Sequence, residues 1–211
     1  MPGRMRTFAD IPSMKKGPAT RAAILREAFR LSYANGFRQS SVDEILQNLG
    51  ITKGSFYHHF HNKEEMGTAL IEEVMAPQME QMYGMLLATA SDPLKAIHRM
   101  MKRLLFEEPE LLAEYGCPMG NLAQELNAGH PQMREAFVRL MAVWRQALRG
   151  VLQRAIRAGI VRKGLKPDAI ATTLIAGYWG IRTLGKTDDA PTVYKAWLAE
   201  LDRYLETLRA V

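Results

Sequence analysis

The chain has 211 residues, of which 47% are hydrophobic and 24% charged, with a net charge of +6. This balance is typical of a globular protein with a buried core, and no uninterrupted apolar run reaches the length of a transmembrane helix. A single cysteine, Cys117, excludes an intramolecular disulfide framework and, together with the lack of an apolar secretory segment at the start, predicts a cytoplasmic protein without a membrane partner.

The excess positive charge lies in the first third of the chain. Residues 1–63 contain ten Lys and Arg against four Asp and Glu, whereas the remaining residues contain eighteen of each kind. A basic segment attached to a neutral body is typical of proteins that bind nucleic acid. The charge therefore predicts an anionic partner for the N-terminal third.

Apolar residues recur at three- and four-residue spacing along nearly the whole chain, which predicts an all-α fold of about nine helices. Residues 1–19 lack this pattern and are expected to form a flexible basic arm. Capping residues, glycines and prolines then divide the pattern into ten candidate helical segments in chain order, the fourth of them bent or broken near Pro77: about 20–34, 42–49, 52–59, 63–87, 93–107, 109–115, 119–127, 131–158, 167–185 and 191–209.

The segment SSVDEILQNLGITKGSFYHHF has the pattern of a helix-turn-helix motif. Ser41 and Glu44 have the spacing of a capping box at the start of its first helix, and Gly50 lies in the turn. On the second helix, Phe56 and Phe60 are four residues apart and are expected to pack against the first helix. Polar residues remain outward near its N-terminus, which is the part of a recognition helix that reads the major groove. A helical hairpin with a polar face is the alternative.

Residues 20–70 resemble the DNA-binding domain of the tetracycline-repressor (TetR) family through the stretches TRAAILREAFRLSYANGF and SSVDEILQNLGITKGSFYHHFHNKEEM. The resemblance implies a helix-turn-helix domain over residues 20–66 with three helices, followed by a larger helical-bundle domain over 67–211 for ligand binding and dimerisation. It also implies a homodimer that binds double-stranded, palindromic operator DNA.

The resemblance further implies a set of DNA-binding residues. Ser41 and Lys63 are expected to contact phosphates, and Tyr57 and His58 to contact either phosphates or bases. The expected groove-facing set is Thr52, Lys53, Gly54, Ser55, Tyr57 and His58.

No cofactor or metal is predicted. His58 and His59 are adjacent, so their side chains point about 100° apart on a helix, and no Cys or carboxylate completes a zinc pattern around them. Likewise, no GxSxG, P-loop, GxGxxG or HExxH motif supports an enzyme. An architectural DNA-binding protein without a sensor is the other alternative to a regulator.

Methionine is abundant after residue 65, and its helical spacing is typical of core packing, although flexible thioethers also line adaptable pockets. We expect a small organic effector to bind in this part of the chain. The candidate effector-binding residues are Met75, Met79, Met82, Met101, Cys117, Asn121, Gln124, Trp144 and Tyr178.

The run YGCPMGNLAQEL, from Tyr115 to Leu126, resembles a GCxxGNL subgroup whose members respond to electrophiles, acrylate-like compounds or flavonoids. In the electrophile sensors of that subgroup the matching cysteine reacts, assisted by a lysine that aligns with Lys186. An electrophile or redox sensor acting through Cys117 and Lys186 is therefore the alternative to reversible effector binding. A buried, unreactive cysteine is the simpler interpretation.

The last two predicted helices carry more apolar residues than attachment to a core needs. In the TetR family the corresponding pair forms a four-helix dimer interface, and a two-fold dimer matches a palindromic operator. The sequence therefore favours a dimeric repressor that a small molecule releases from DNA.

Overall fold

The computed structural model describes residues 18–87, 92–106, 114–126 and 129–210. These residues form helices and short connections, with no β-strand within the described ranges. An isolated antiparallel bridge joins Val161, which precedes the last two helices, to Arg209, which follows them. The predicted all-α fold is confirmed.

The first half of the chain contains five α-helices and one π-helical segment: α1 (Pro18–Asn35), α2 (Val42–Leu49), α3 (Lys53–Tyr57), α4 (Lys63–Ala69), the π-helical segment (Leu70–Met75) and α5 (Ala76–Leu87). The second half contains α6 (Pro93–Phe106), α7 (Pro118–Glu125), α8 (Pro131–Arg157), α9 (Pro167–Leu184) and α10 (Ala190–Thr207). The helix predicted over 109–115 lies mostly outside the described residues, as does the predicted arm up to residue 17.

The start of α1 and the end of α3 are two of the helix boundaries that differ from the sequence prediction. Helix α1 begins at Pro18, so residues 18 and 19 belong to the helix and not to the arm. Proline suits this position because the first turn of a helix needs no N–H donor. Helix α3 ends at Tyr57 because His58 and His59 form a turn, in which the His59 N–H donates to the Phe56 carbonyl.

The predicted irregularity near Pro77 takes the form of a π-helical segment. The N–H of Ala76 donates to the Ile71 carbonyl, five residues earlier. Because Pro77 has no N–H and its ring crowds the preceding turn, a wider turn just before it keeps the helix continuous. Residues 63–87 therefore form one uninterrupted helical rod.

The chain divides into two compact units. Unit 1 extends to Met82 and also includes Asn121–Met141, whereas unit 2 consists of Tyr83–Gly120 and Ala142–Val211. The helix-turn-helix domain, predicted over 20–66, thus lies within a unit that also draws on a later part of the chain. Helices α5, α7 and α8 each contain residues of both units.

The core of unit 1 forms around the apolar faces of the first four helices. Ile24 and Ala28 of α1, Ile45 of α2, and Phe56 and Phe60 around the end of α3 are wholly buried. At Gly67 of α4 an added Cβ would lie 2.6 Å from the Phe37 ring, so this packing requires glycine. The position of the short helix α3 is therefore fixed by the burial of Phe56 within it and of Phe60 just after it.

The core of unit 2 contains aromatic residues as well as aliphatic ones. Tyr83, Trp144, Leu148 and Leu152 are at most 1% exposed, and α10 packs against α6 and α9.

Most apolar residues of the last two helices pack inside unit 2, including Ile170, Leu174, Ile175, Tyr178, Ile181, Tyr194, Leu198, Leu201, Leu205 and Leu208. The apolar excess that favoured a dimer interface is thus largely used within the chain. Within the described ranges, no helix has the length and apolar character needed to cross a bilayer.

Candidate nucleic-acid interface and effector site

Two capping side chains and one left-handed glycine position the recognition helix. Ser41 caps α2 by accepting from the Glu44 N–H at 3.0 Å, and α2 ends at Gly50, whose φ of 63° is in the left-handed region. Thr52 then caps α3 by accepting from the Ser55 N–H at 3.2 Å. The first half of the predicted Ser41–Glu44 capping box is confirmed.

Helix α3 separates its residues into a buried and an exposed side. Phe56 and the following Phe60 have no exposed surface, whereas Thr52, Lys53, Gly54, Tyr57 and His58 are exposed and Ser55 is half-buried. Tyr57 is a large aromatic residue with 58% of its surface exposed. The structure thus places the six predicted groove-facing residues on a single short helix and its two capping positions.

The backbone at Gly54 is openly accessible. A Cβ added there would meet only the Thr52 hydroxyl oxygen, at 3.7 Å. The interior of unit 1 therefore does not require glycine at this position, and the absent side chain leaves room for an external partner to approach the backbone.

Lys53 is held at the surface by an exposed ion pair. Its ammonium lies 2.9 Å from the Asp43 carboxylate, and about 70% of each side chain is accessible. The hydrogen bond and the negative charge of Asp43 raise the pKa of Lys53. An exposed ion pair of this kind contributes little to stability, so Lys53 can exchange its partner for another anion.

Lys63, the second predicted phosphate ligand, has a different environment. It begins α4 with its side chain half-buried, and its ammonium donates to the Arg38 carbonyl at 3.1 Å and lies 4.7 Å from the centre of the Phe37 ring. Burial lowers the pKa of Lys63. The six residues Phe37, Arg38, Asn62, Lys63, Glu64 and His130 line a cavity of about 350 Å³.

Two residues that sequence reasoning missed support this surface from within unit 1. Arg21 of α1 donates to the His59 carbonyl at 2.8 Å and lies 4.3 Å from the centre of the Phe60 ring, which fixes the end of the recognition helix. Glu125 accepts from the N–H groups of Phe37 and Arg38 at 2.9 and 2.7 Å. In the sequence, the positive charge of Arg21 does not indicate a contact with His59 or Phe60. Glu125 lies too far along the chain from Phe37 and Arg38 for its contact with them to be predicted.

The candidate effector residues fall into two groups. Met101, Cys117, Trp144 and Tyr178 are buried in unit 2, where the Trp144 and Tyr178 rings meet edge to face with their centres 5.5 Å apart. In unit 1, Met75 and Met79 are buried, Asn121 is half-buried and Gln124 is exposed. The side chain of Met82 lies outside the described residues. Within unit 2, the structure therefore brings Trp144 and Tyr178 into contact.

Unit 2 adds Tyr83 and Arg182, which sequence reasoning missed. The Tyr83 ring stacks on Trp144 with centres 5.3 Å apart. Arg182, which is 1% exposed, donates to the hydroxyls of Tyr178 and Tyr194 at 3.1 and 3.3 Å. The four-residue spacing of Tyr178 and Arg182 was the available signal, because it puts both side chains on one face of α9.

Cys117 caps the first turn of α7. Burial raises the pKa of its thiol, while the N–H groups of Gly120 and Met119 and the positive charge of Arg182 act in the opposite direction. The GCPMG sequence fits this turn: Gly116 has a φ of 78°, and a Cβ on Gly120 would lie 3.5 Å from the Cβ of Cys117. Lys186 is exposed just after α9, whereas the positive charge of the buried Arg182 acts to lower the pKa of the thiol.

A metal site is not formed among the histidines near α3. His61 instead pairs with Glu65, whose carboxylate accepts from the His61 N–H at 2.7 Å. Within the described residues, no group of three or more His, Cys, Asp or Glu side chains is arranged to hold a metal ion.

Two family models match the chain in order. The model described as bacterial regulatory proteins, tetR family, matches residues 24–70. The model described as tetracyclin repressor-like, C-terminal domain, matches residues 93–201, which is more than half of the chain.

Individual proteins are similar over most of the chain. Transcriptional regulator AcuR of Cereibacter sphaeroides is 28% identical over 192 residues, covering 88% of this chain and 84% of the relative. HTH-type transcriptional repressor DhaR of Mycobacterium sp. is 24% identical over 160 residues, covering 76% and 79%. A crystal structure of a TetR transcriptional regulator from Chloroflexus aurantiacus matches with a TM-score of 0.82 and 26% identity, covering 94% of this chain and all of the other. With its helix-turn-helix unit and its C-terminal half both matched, this protein belongs to the tetR family of bacterial transcriptional regulators.

Proposed function

We propose that the protein is a one-component repressor that binds a palindromic operator as a homodimer and leaves the DNA when a small organic effector binds. The similar proteins are named as transcriptional regulators, and DhaR as a repressor, which supports regulation over catalysis. A protein that acts on bacterial DNA works in the cytoplasm.

The observation that carries this proposal is the exposed side of helix α3. Its polar residues have few partners within unit 1 that DNA would have to displace, and the helix beneath them is fixed by Phe56 and Phe60. Lys53 offers a cation from an exposed ion pair, while Thr52, Ser55, Tyr57 and His58 offer hydrogen-bonding groups. An α-helix presenting such groups at its N-terminal end fits the major groove.

We assign the two lysines to different kinds of phosphate contact. Lys53 is proposed to release Asp43 and bind a phosphate directly, because an exposed ion pair is easily exchanged. Lys63 and Ser41 remain proposed phosphate contacts at the starts of α4 and α2. Lys63 already donates to the Arg38 carbonyl, so a phosphate would have to compete with that bond.

Dimerisation is proposed to use the outward side of α9, since the buried side is occupied within unit 2. Leu184 is 56% exposed there, and an added Cβ at Gly180 would meet nothing within 4 Å. Ala176 and Thr173 are exposed on the same helix. Small residues beside an exposed leucine allow close helix packing, and a two-fold pair of recognition helices matches a palindrome.

We propose that α4 transmits the effector signal. It begins at Lys63, close behind α3, and continues through the π-helical segment and α5 as one rod that reaches Tyr83. π-Helical turns often occur at functional sites because their hydrogen bonding is easily rearranged. A shift of this rod would change the distance between the two recognition helices of a dimer.

The alternative is an electrophile sensor that acts through Cys117, as in the GCxxGNL subgroup. The thiol accepts hydrogen bonds from backbone N–H groups in the first turn of α7, and it lies within electrostatic range of the positive charge of Arg182. Both interactions favour a thiolate. Its burial acts more strongly in the other direction and raises its pKa. We therefore place reversible effector binding first, with the site at Cys117, Trp144 and Tyr178.

The test is to recover genomic DNA fragments with the purified protein, sequence them, and measure binding to the shared palindrome. We expect Tyr57→Ala and Lys53→Ala to weaken operator binding at least about tenfold, while Lys195→Ala on the exposed side of α10 leaves it unchanged. Recovery of no shared palindrome, or equal binding by all variants, would contradict the proposal.

A further inference from the structure

Arg182 is a buried cation whose hydrogen-bond partners among the described residues are all uncharged. Its guanidinium donates to the Tyr178 hydroxyl, the Tyr194 hydroxyl and the Leu104 carbonyl, at 3.1, 3.3 and 3.0 Å. All three acceptors are neutral, and none of the described carboxylates pairs with this guanidinium. A buried charge is normally paired, because removing it from water is costly. Within the described part of the chain, these bonds use three of the five guanidinium N–H donors.

The groups around Arg182 do not supply the missing negative charge. Burial raises the pKa of the Tyr178 hydroxyl and of the Cys117 thiol, both of which lie within electrostatic range of Arg182. Burial likewise raises the pKa of Tyr83 well above its usual value. These groups are therefore protonated at neutral pH and act as donors as readily as acceptors.

Two further buried polar atoms nearby have no hydrogen-bond partner among the described residues. They are the hydroxyl oxygen of Tyr83 and the indole nitrogen of Trp144, in side chains that are 1% and 0% exposed. Tyr83 stacks on Trp144, and Trp144 meets the Tyr178 ring, whose hydroxyl accepts from Arg182. One continuous aromatic cluster thus joins the unpartnered atoms to the unpaired guanidinium.

These unsatisfied groups select one kind of ligand. A guanidinium, a phenol hydroxyl and an indole N–H all donate, and the indole can do nothing else. A carboxylate accepts through two oxygens and matches the geometry of a guanidinium, whereas the surrounding aromatic rings suit an apolar substituent. We propose that Arg182 is the anion-binding group of the effector site and that the effector is a small organic carboxylate. This inference rests on the proposed function of an effector-released repressor.

Calorimetric titration of the full-length protein tests the inference without DNA. The probes are propionate, hexanoate, benzoate and cinnamate, each paired with the uncharged amide of the same acid. At least one carboxylate is expected to bind with a Kd below about 1 mM and at least about tenfold more tightly than its amide. Absence of binding by all four carboxylates, or equal binding of acid and amide, overturns the inference.

Two variants locate the binding. Arg182→Met removes the charge but keeps an unbranched, flexible side chain that can fill the space; its fold is checked by circular dichroism, and it should lose the preference for the acid over the amide. Arg182→Lys keeps the charge without the two-pronged geometry and should bind the acid more weakly than wild type. The exposed-site control Arg203→Met should bind like wild type. An unchanged preference in both Arg182 variants overturns the assignment.

The pH dependence gives a readout that needs no variant. Since the ionised acid is the proposed ligand, its affinity should decrease about tenfold per pH unit below the acid's own pKa, while amide binding stays constant. Operator binding then separates the two proposals. If wild type binds the operator but no carboxylate, this inference fails while the repressor stands. If the protein binds carboxylates but no operator, the repressor proposal fails.

Discussion

The exposed side of α3 and the aromatic cluster around Arg182 place a positive charge in opposite environments. Lys53 lies in solvent beside Asp43, with 68% of its side chain accessible, whereas Arg182 is buried among neutral oxygens. An exposed ion pair can be exchanged for a DNA phosphate at little cost, because water screens both states. A buried guanidinium has no such freedom. The first region is therefore suited to reversible contact with a polyanion, and the second to selective capture of a small one.

The largest effect on stability is expected at Phe56, which is buried beneath the exposed side of α3. Phe56→Ala should lower the free energy of unfolding by about 3–5 kcal/mol, because it removes a fully buried aromatic ring. Urea unfolding followed by circular dichroism measures this loss. Tyr57→Ala, one residue along, should change stability by less than about 0.5 kcal/mol. Similar losses in both variants would show that the division of α3 into two sides is wrong.

The support from Glu125 is expected to matter less. Glu125→Ala should destabilise unit 1 by about 1–3 kcal/mol, since the N–H groups of Phe37 and Arg38 lose a charged acceptor. Thermal unfolding measures this change, with the exposed Glu135→Ala on α8 as the control. Glu125→Gln keeps one amide oxygen and should lose about half as much. A Glu125→Ala protein as stable as the control would show that the contact contributes nothing.

The two lysines offer a finer comparison within the DNA-binding face. Lys53→Ala and Lys63→Ala should each lower the slope of log K against log salt concentration by about one, because each loses one phosphate contact. Operator titrations over a range of salt concentrations measure the slope. If Lys63 instead only supports the Arg38 carbonyl, Lys63→Ala will weaken binding without changing the slope. That result would remove Lys63 from the phosphate contacts.

The smallest effect concerns the thiol. Because burial raises the pKa of Cys117, alkylation by iodoacetamide at neutral pH should proceed at least about tenfold more slowly than alkylation of free glutathione. Mass spectrometry of timed samples measures the rate, and unfolding the protein in urea should remove the protection. Alkylation faster than that of glutathione, with loss of operator binding, would favour the electrophile sensor.

Local features of the sequence predicted the DNA-binding half well. The cap at Ser41, the glycine after α2 and the spacing of Phe56 and Phe60 act over a few residues, so the local sequence identifies them. The irregularity near Pro77 followed from the missing N–H of proline, and the Thr52 cap was not predicted. Helix boundaries were less certain: α1 begins earlier than predicted and α3 ends sooner, since neighbouring contacts decide where a helix frays.

Only the tertiary structure decided which residues from distant parts of the sequence contact each other. Glu125 reaches the Phe37 N–H across 88 positions of sequence, and Arg182 reaches the Leu104 carbonyl across 78. The same packing buried most of the apolar residues of α9 and α10 that had predicted a dimer interface, and brought the charge of Arg182 within electrostatic range of Cys117. The sequence thus determined by itself which helices form and which one presents a polar surface suited to DNA, because those depend on neighbours in sequence. The environment of the buried Arg182 depends on burial and long-range contact, which local periodicity does not encode.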